Sequence, residues 1–273
     1  MYKLIGKCLA VLAFICAVTG QFMLAIPLFI AAAVLSAVKD KKDTAMKQQM
    51  GDTVVKKALE EAFENVTYEP FGKIGITQIK DSGVMVPLDY NDTVGNDHIK
   101  AVYKGLNIEF CDIVLVQEED IYNEEMQVWE NKKREVFKGQ WMICDLGREL
   151  PAQVSLAPRS GFQRLIRTDT IKTENEVFDK HFTVRSGDGE RVFHILTPHT
   201  IEYILSAAEM SGGKLYMSFL KDGKIHIVVE SDRDFFEIGG GSKDADRIRE
   251  KIKSQIRWFT DMLDELHLKD SIS

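Results

Sequence analysis

The longest departure from ordinary patterning is at the start of the chain. Residues 8–38 carry no charged side chain, whereas Lys3 and Lys7 precede the run and Lys39, Lys41 and Lys42 follow it. These 31 residues would make a helix of about 46 Å, well beyond a hydrocarbon core of about 30 Å. Thr19, Gly20 and Gln21 are the least apolar point, and the glycine suits a tight reversal. The pattern predicts a hairpin of two short transmembrane helices over residues 4–19 and 21–38. Pro27 lies near the start of the second, where a proline costs least. Lysines at both outer ends and none in the reversal put both ends in the cytoplasm. The rival reading, a cleaved secretory signal, lacks a clean small-x-small cleavage site and runs straight into a second apolar segment.

Beyond the lysines, Met46, Met50, Val54, Ala58, Leu59, Ala62, Phe63 and Val66 recur at three- and four-residue steps, which predicts an amphipathic helix over 45–66. Glycines and Pro87 break any period across 71–97, a connecting region with room for a short helix or strand. Residues 98–105 and 106–116 alternate with period two and read as antiparallel strands. The charged stretch 117–133 then reads as an excursion or short helix at a sheet edge, and strands resume at 135–145 and 153–157. A turn or short helix at 175–179 precedes a strand over 181–185, for which 191–196 is the expected partner. Thr197 and Pro198 supply an N-cap and a first-turn proline for a helix that ends at Gly212 and Gly213. Strands 214–220 and 224–229 flank Asp222 and Gly223, a strong hairpin signal. The last helix, 244–266, has Ala245, Ile248, Ile252, Ile256, Phe259, Leu263 and Leu266 on one face. No internal repeat of fixed period is visible.

The succession Tyr103-x-Gly105, Ile108-x-Phe110-x-Asp112-Ile113-x-Leu115, Phe137-x-Gly139-x-Trp141, Phe178-x-x-x-Phe182-x-Val184-x-Ser186-x-Asp188, Leu196-Thr197-Pro198 and Leu215-x-x-Ser218-Phe219 resembles the bacterial proteins grouped as domain of unknown function 3137. The resemblance spans about residues 1–230. It implies N-terminal transmembrane helices with a cytoplasmic α+β domain. It supplies no activity or catalytic residues, and points to a LemA-family membrane protein as a partner.

Net charge changes the picture of what such a chain can bind. The total of −7 conceals +5 over residues 1–57, from eight lysines and three aspartates, and −12 over the remainder. The proximal part matches an anionic leaflet, while the distal part is repelled by nucleic acid, which makes a nucleic-acid function unfavourable. Cys8 and Cys16 fall in the apolar run, and Cys111 and Cys144 stand alone without C-x-x-C spacing. They read as small buried thiols in a reducing compartment, with neither a zinc site nor a disulfide framework signalled.

Candidate chemistry is sparse. His181, His194 and His199 cluster around one strand-to-helix junction, and zinc would need their ring nitrogens to converge on one ion; scattered structural histidines are the simpler expectation. Arg159, Arg164 and Arg167 offer guanidinium groups to phosphate or a carboxylate, or form an exposed loop with Gly161. Gly239, Gly240, Gly241, Ser242 and Lys243 lack the P-loop frame and read as a linker with Ser242 as helix cap. The acidic run Glu118, Glu119, Asp120, Glu124 and Glu125 lacks EF-hand spacing and reads as a solvated loop. No hydrolase, kinase, zincin or dinucleotide signature occurs, and no cofactor is implied.

The expectation is an α+β protein. A transmembrane helical hairpin (1–43) and a juxtamembrane amphipathic helix (44–70) lead into a mainly antiparallel sheet domain with flanking helices (71–238), and a linker and C-terminal helix (239–273) complete it. It would sit in the cell membrane with its bulk in the cytoplasm, as a non-catalytic interaction or scaffold module, with the bilayer and other membrane proteins as partners. The helices 45–66 and 244–266 offer a route to oligomers. The alternative is a membrane-bound hydrolase or small-ligand sensor built from His181, His194 and the arginines of 159–167.

Overall fold

A computed structural model describes residues 54–86, 88–123, 126–159, 170–236 and 245–268. The expected anchor 1–43, the start of the helix at 45–66, Arg164, Arg167 and Gly239 through Lys243 lie outside the described residues. Among the described residues no helix is long and apolar enough to cross a membrane.

The elements in order are α1 (Lys56–Ala62), β1 (Glu64–Glu69), α2 (Ile76–Asp81), β2 (Asp92–Tyr103), β3 (Leu106–Asn123) and β4 (Val128–Asp145). They continue with β5 (Val154–Pro158), α3 (Glu176–His181), β6 (Phe182–Arg185), a 3-10 turn (Arg191–His194), α4 (Pro198–Ser211), β7 (Lys214–Phe219), β8 (Lys224–Glu230) and α5 (Ala245–Glu265). Eight strands form one sheet in the order β1-β2-β3-β4-β8-β7-β5-β6, and every pairing is antiparallel. This is the mainly antiparallel α+β architecture with flanking helices that the pattern predicts.

Period-two alternation sends the sheet's side chains to two cores. On one face Cys111, Ile113, Phe137, Trp141, Ile143, Tyr216 and Val228 pack beneath Ile74, Ile79 and the segment from Val84 to Val86. On the other, Phe110 of β3 meets Phe259 of α5 at 4.2 Å between ring centroids, with Phe63 and Phe236 beside it. The predicted stripe of α5 is what this face buries, since Ile248, Ile252, Ile256, Phe259, Leu263 and Leu266 are all buried. Glu61 of α1 pairs with Arg249 and with Lys253, the latter at 2.9 Å, and Asp264 accepts from Lys104 at 2.6 Å and from Tyr103 at 2.9 Å. Two ion-pair clusters thus fix both ends of α5 against the rest of the chain.

Strong local signals produce the elements they predict. Thr197 caps α4 by accepting the Thr200 N–H, and Gly212 ends it at φ 64°. Lys104 and Gly105, at φ 48° and 75°, close the β2–β3 hairpin in the mirror-image turn that such loops favour.

Four readings are corrected. The helix expected to run to Val66 stops at Ala62, because Phe63 turns extended and Val66, Thr67 and Tyr68 add an edge strand to β2. The connection 71–97 contains α2 and the start of β2, which begins at Asp92 and not at His98. His181 closes α3 instead of opening a strand, and 191–196 is not the partner of β6, which pairs with β5. Val192, Ile195 and Leu196 are buried while Phe193 and His194 are exposed, a helical spacing that the alternation had masked. The fourth correction concerns the charged stretch 117–133. Residues 117–123 and 128–133 of it are neither loop nor helix; they continue β3 and β4 as a two-stranded ribbon.

Candidate functional site

The ribbon is built by strand pairing that outruns the sheet. β2 accompanies β3 only as far as Val116, and β8 accompanies β4 only from Gly139 onward. At the root, a bulge between the Leu115 and Val116 rungs leaves one residue of β4 extra, a feature that bends and twists a strand pair. The Asn91 side chain then caps the edge, exchanging 2.8 Å hydrogen bonds with the N–H and carbonyl of Glu118. Past that point the two strands pair only with each other among the described residues, from Gln117 opposite Arg134 to Asn123 opposite Val128.

Cross-strand neighbours explain how so charged a segment stays extended. Glu118 faces Lys133 and pairs with it, Glu119 faces Lys132, and Asp120 accepts from Asn131 at 2.9 Å. Acidic residues of one strand are neutralised by basic residues of the other, so the shaft is polar and nearly balanced. Its far end is apolar. Tyr122 and Trp129 lie directly opposite, 5.3 Å between centroids, yet they are 46% and 71% exposed. Ile121, Met126 and Val128 are exposed beside them. An aromatic pair held in solvent at the end of an arm has the composition of a contact surface.

A second constellation lies midway along β2, where its register shifts between Asn96 and Ile99. Asp97, Asp112 and Asp234 bring carboxylate oxygens within 4.8 Å of one another, and the first two are buried. These are the oxygen ligands a hard divalent cation takes. Both oxygens of Asp112 already accept hydrogen bonds, from Gln140 Nε2 at 3.0 Å and from the Phe235 N–H at 2.6 Å. Gln140 in turn donates to the Arg233 carbonyl and accepts from Ser231. Burial lifts the Asp112 carboxyl to about 7 against the pull of these donors, with Asp234 and Asp97 adding to the rise. The arrangement works as a latch. It holds the segment after β8 so that Phe235 and Phe236 enter the aromatic core beside Phe259.

The histidines and arginines of the sequence reading are elsewhere. His181 is exposed at the end of α3, its Nδ1 2.8 Å from the Val177 carbonyl. His194 is exposed on the 3-10 turn, and His199 is exposed in the first turn of α4, 3.9 Å from Glu202. Arg159 is exposed and meets His181 only through its backbone N–H, 2.7 Å from the His181 carbonyl. Among the described residues the histidines form no group able to hold a metal. None of these four residues lines either of two surface depressions among the described residues. One is about 650 Å³ between Glu174, Phe193 and Ile201, and the other about 510 Å³ between Gln153, Arg185 and Lys221. The two lone cysteines are buried and unpaired, and desolvation drives both thiols up to about 12.

Residues 135–268 match the model of a family described as protein of unknown function (DUF3137). That stretch belongs to DUF3137. The DUF3137 stretch opens at Glu135 on the returning strand of the arm and runs through α5, so the resembling motifs at Tyr103 and Ile108 precede it. Inside it, Phe137-x-Gly139-x-Trp141 has a physical basis. Phe137 and Trp141 point to one core, and a Cβ on Gly139 would strike the Val229 carbonyl oxygen of β8. No curated protein matches the chain. A solved structure, the crystal structure of the mycobacterial trehalose monomycolate transport factor A, TtfA, is similar at 10% identity and a TM-score of 0.41, over 78% of this chain and 93% of that one.

Proposed function

We propose that this chain is a membrane-anchored interaction or scaffold protein whose α+β domain works at the cytoplasmic face. The observation that carries the reading is the β3–β4 arm, a charge-balanced shaft that presents Tyr122 and Trp129 to solvent. Burying those rings would recover apolar area that the fold leaves in water, and aromatic side chains are the usual anchors of contact surfaces. The uncharged run 8–38 and its flanking lysines support the anchoring half. The hydrolase or sensor alternative is built on His181, His194 and Arg159, which are exposed to solvent, and on Arg164 and Arg167, which lie outside the described residues.

The test is fractionation of the full chain with reporters at its C-terminus. The expected result is a chain that resists alkaline carbonate extraction and a reporter active only in the cytoplasm. Release into the soluble fraction, or a periplasmic reporter, would overturn the reading.

A further inference from the structure

The arm carries an internal complementarity across its two strands. Along one face of the ribbon the successive rungs are Tyr122 with Trp129, Asp120 with Asn131 and Glu118 with Lys133. Each rung holds a group and its chemical complement, ring with ring, carboxylate with amide, carboxylate with ammonium. A twofold axis running along the ribbon lays β3 of one copy over β4 of another. Every residue of this face then lies over its complement: Trp129 over Tyr122, Asn131 over Asp120, Lys133 over Glu118. A self-complementary patch is what an isologous contact requires. We propose that this face of the arm is a self-association surface, whose partner is the same face on a second copy of the chain.

A second copy fits better than a bilayer. The residues joining β3 to β4 include Glu124 and Glu125, so a tip lowered into lipid would bring two carboxylates with it. The size of the surface sets its strength. Seven rungs at about 3.4 Å per residue make a face roughly 20 Å long and about 10 Å wide, about 200 Å² on each copy and about 400 Å² in total, well short of the roughly 1,200–2,000 Å² of a stable complex. Two arms are therefore a weak pair in dilute solution. They become an effective pair when both chains are held in one membrane, where tethering raises the local concentration. That gain in strength rests on the anchoring proposed above, whereas the complementarity itself does not.

Charge exchange tests the pairing, read by energy transfer between differently labelled full chains in phosphatidylcholine vesicles. Glu118→Lys places two cations on one rung, and Lys133→Glu places two anions there. In either variant alone the twofold contact sets like charge over like, and self-association falls about tenfold. Mixing the two variants sets each cation over an anion, and transfer between them returns to the wild-type level. Each variant still lacks its internal pair, so recovery on mixing reports the contact between chains and nothing within one. Trp129→Ala lowers self-association in the same assay without restoration by either partner. Single variants that associate as well as wild type, or a mixture that stays dissociated, overturn the proposal. If the chain does not enter vesicles, the same comparison at high concentration in solution reads the arm contact while the anchoring reading alone fails.

Discussion

Replacing Asp112 by asparagine isolates the latch beneath the aromatic core. In the native state this carboxyl is pushed up to about 7, chiefly by burial, from 3.8 as the unperturbed value. The folded chain therefore holds the proton more tightly than the unfolded chain between about pH 4 and 7, and stability must fall as pH rises through that window. At about 1.36 kcal/mol per pH unit, the loss from Asp112 alone between about pH 4.5 and 7.5 is on the order of 3 kcal/mol. The amide of the variant cannot ionise, so its stability lacks this slope. It also aims an N–H₂ at one of two donors, Gln140 Nε2 or the Phe235 N–H, which costs about 1–3 kcal/mol. Where Asp112 is protonated its own O–H meets the same two donors, so wild type shares this cost at low pH. Asp112→Asn should lie within about 1 kcal/mol of wild type near pH 4.5 and exceed it by about 2–3 kcal/mol near pH 7.5. Urea denaturation of the full chain in detergent, followed by tryptophan fluorescence across that range, measures the difference directly. A difference that stays constant within about 0.5 kcal/mol across the range would refute the argument.

His226 should show the opposite sign. It is buried, its Nδ1 accepts from Trp141 Nε1 at 3.0 Å, and desolvation lowers it from 6.5 to about 4. Its neutral form therefore stabilises the fold above about pH 6.5, and on the order of 3 kcal/mol is lost as pH falls towards 4; His226→Gln should flatten that acid limb in the same titration. Gly139→Ala should destabilise by about 3 kcal/mol or more, since the new Cβ meets the backbone carbonyl of Val229 and neither strand can retreat without breaking the β4–β8 ladder. Thermal melting checks this, and a shift no larger than that of a surface alanine would sink it. Trp129→Ala, by contrast, should leave the stability measured in urea within about 0.5 kcal/mol of wild type, because the ring is mostly in solvent. Glu61→Ala should lower the urea midpoint slightly at low salt and by less at high salt, as Arg249 and Lys253 lose an exposed partner that salt screens; urea midpoints at the two ionic strengths give the comparison.

Sequence alone determined the features whose cause is local. The cap and proline of α4, the αL glycine that ends it, the hairpin at Gly223 and the apolar stripe of α5 are each set by residues within a turn or two of one another, and all stand as predicted. The uncharged run is equally local, though it lies beyond the described residues. Tertiary structure decided what depends on partners far along the chain. Residues 117–123 and 128–133 have no alternation that marks strands; they are extended because Glu118, Glu119 and Asp120 of β3 meet Lys133, Lys132 and Asn131 of β4 across the ladder. Asp112 looked like one polar position on a strand, and only the fold brings Gln140, the Phe235 N–H and two further carboxylates to it. The three histidines, close in sequence, are held apart by the ends of three different elements. Period and capping act over a few residues, whereas charge pairing across strands and burial of a carboxyl are properties of contacts that the chain makes only once it is folded.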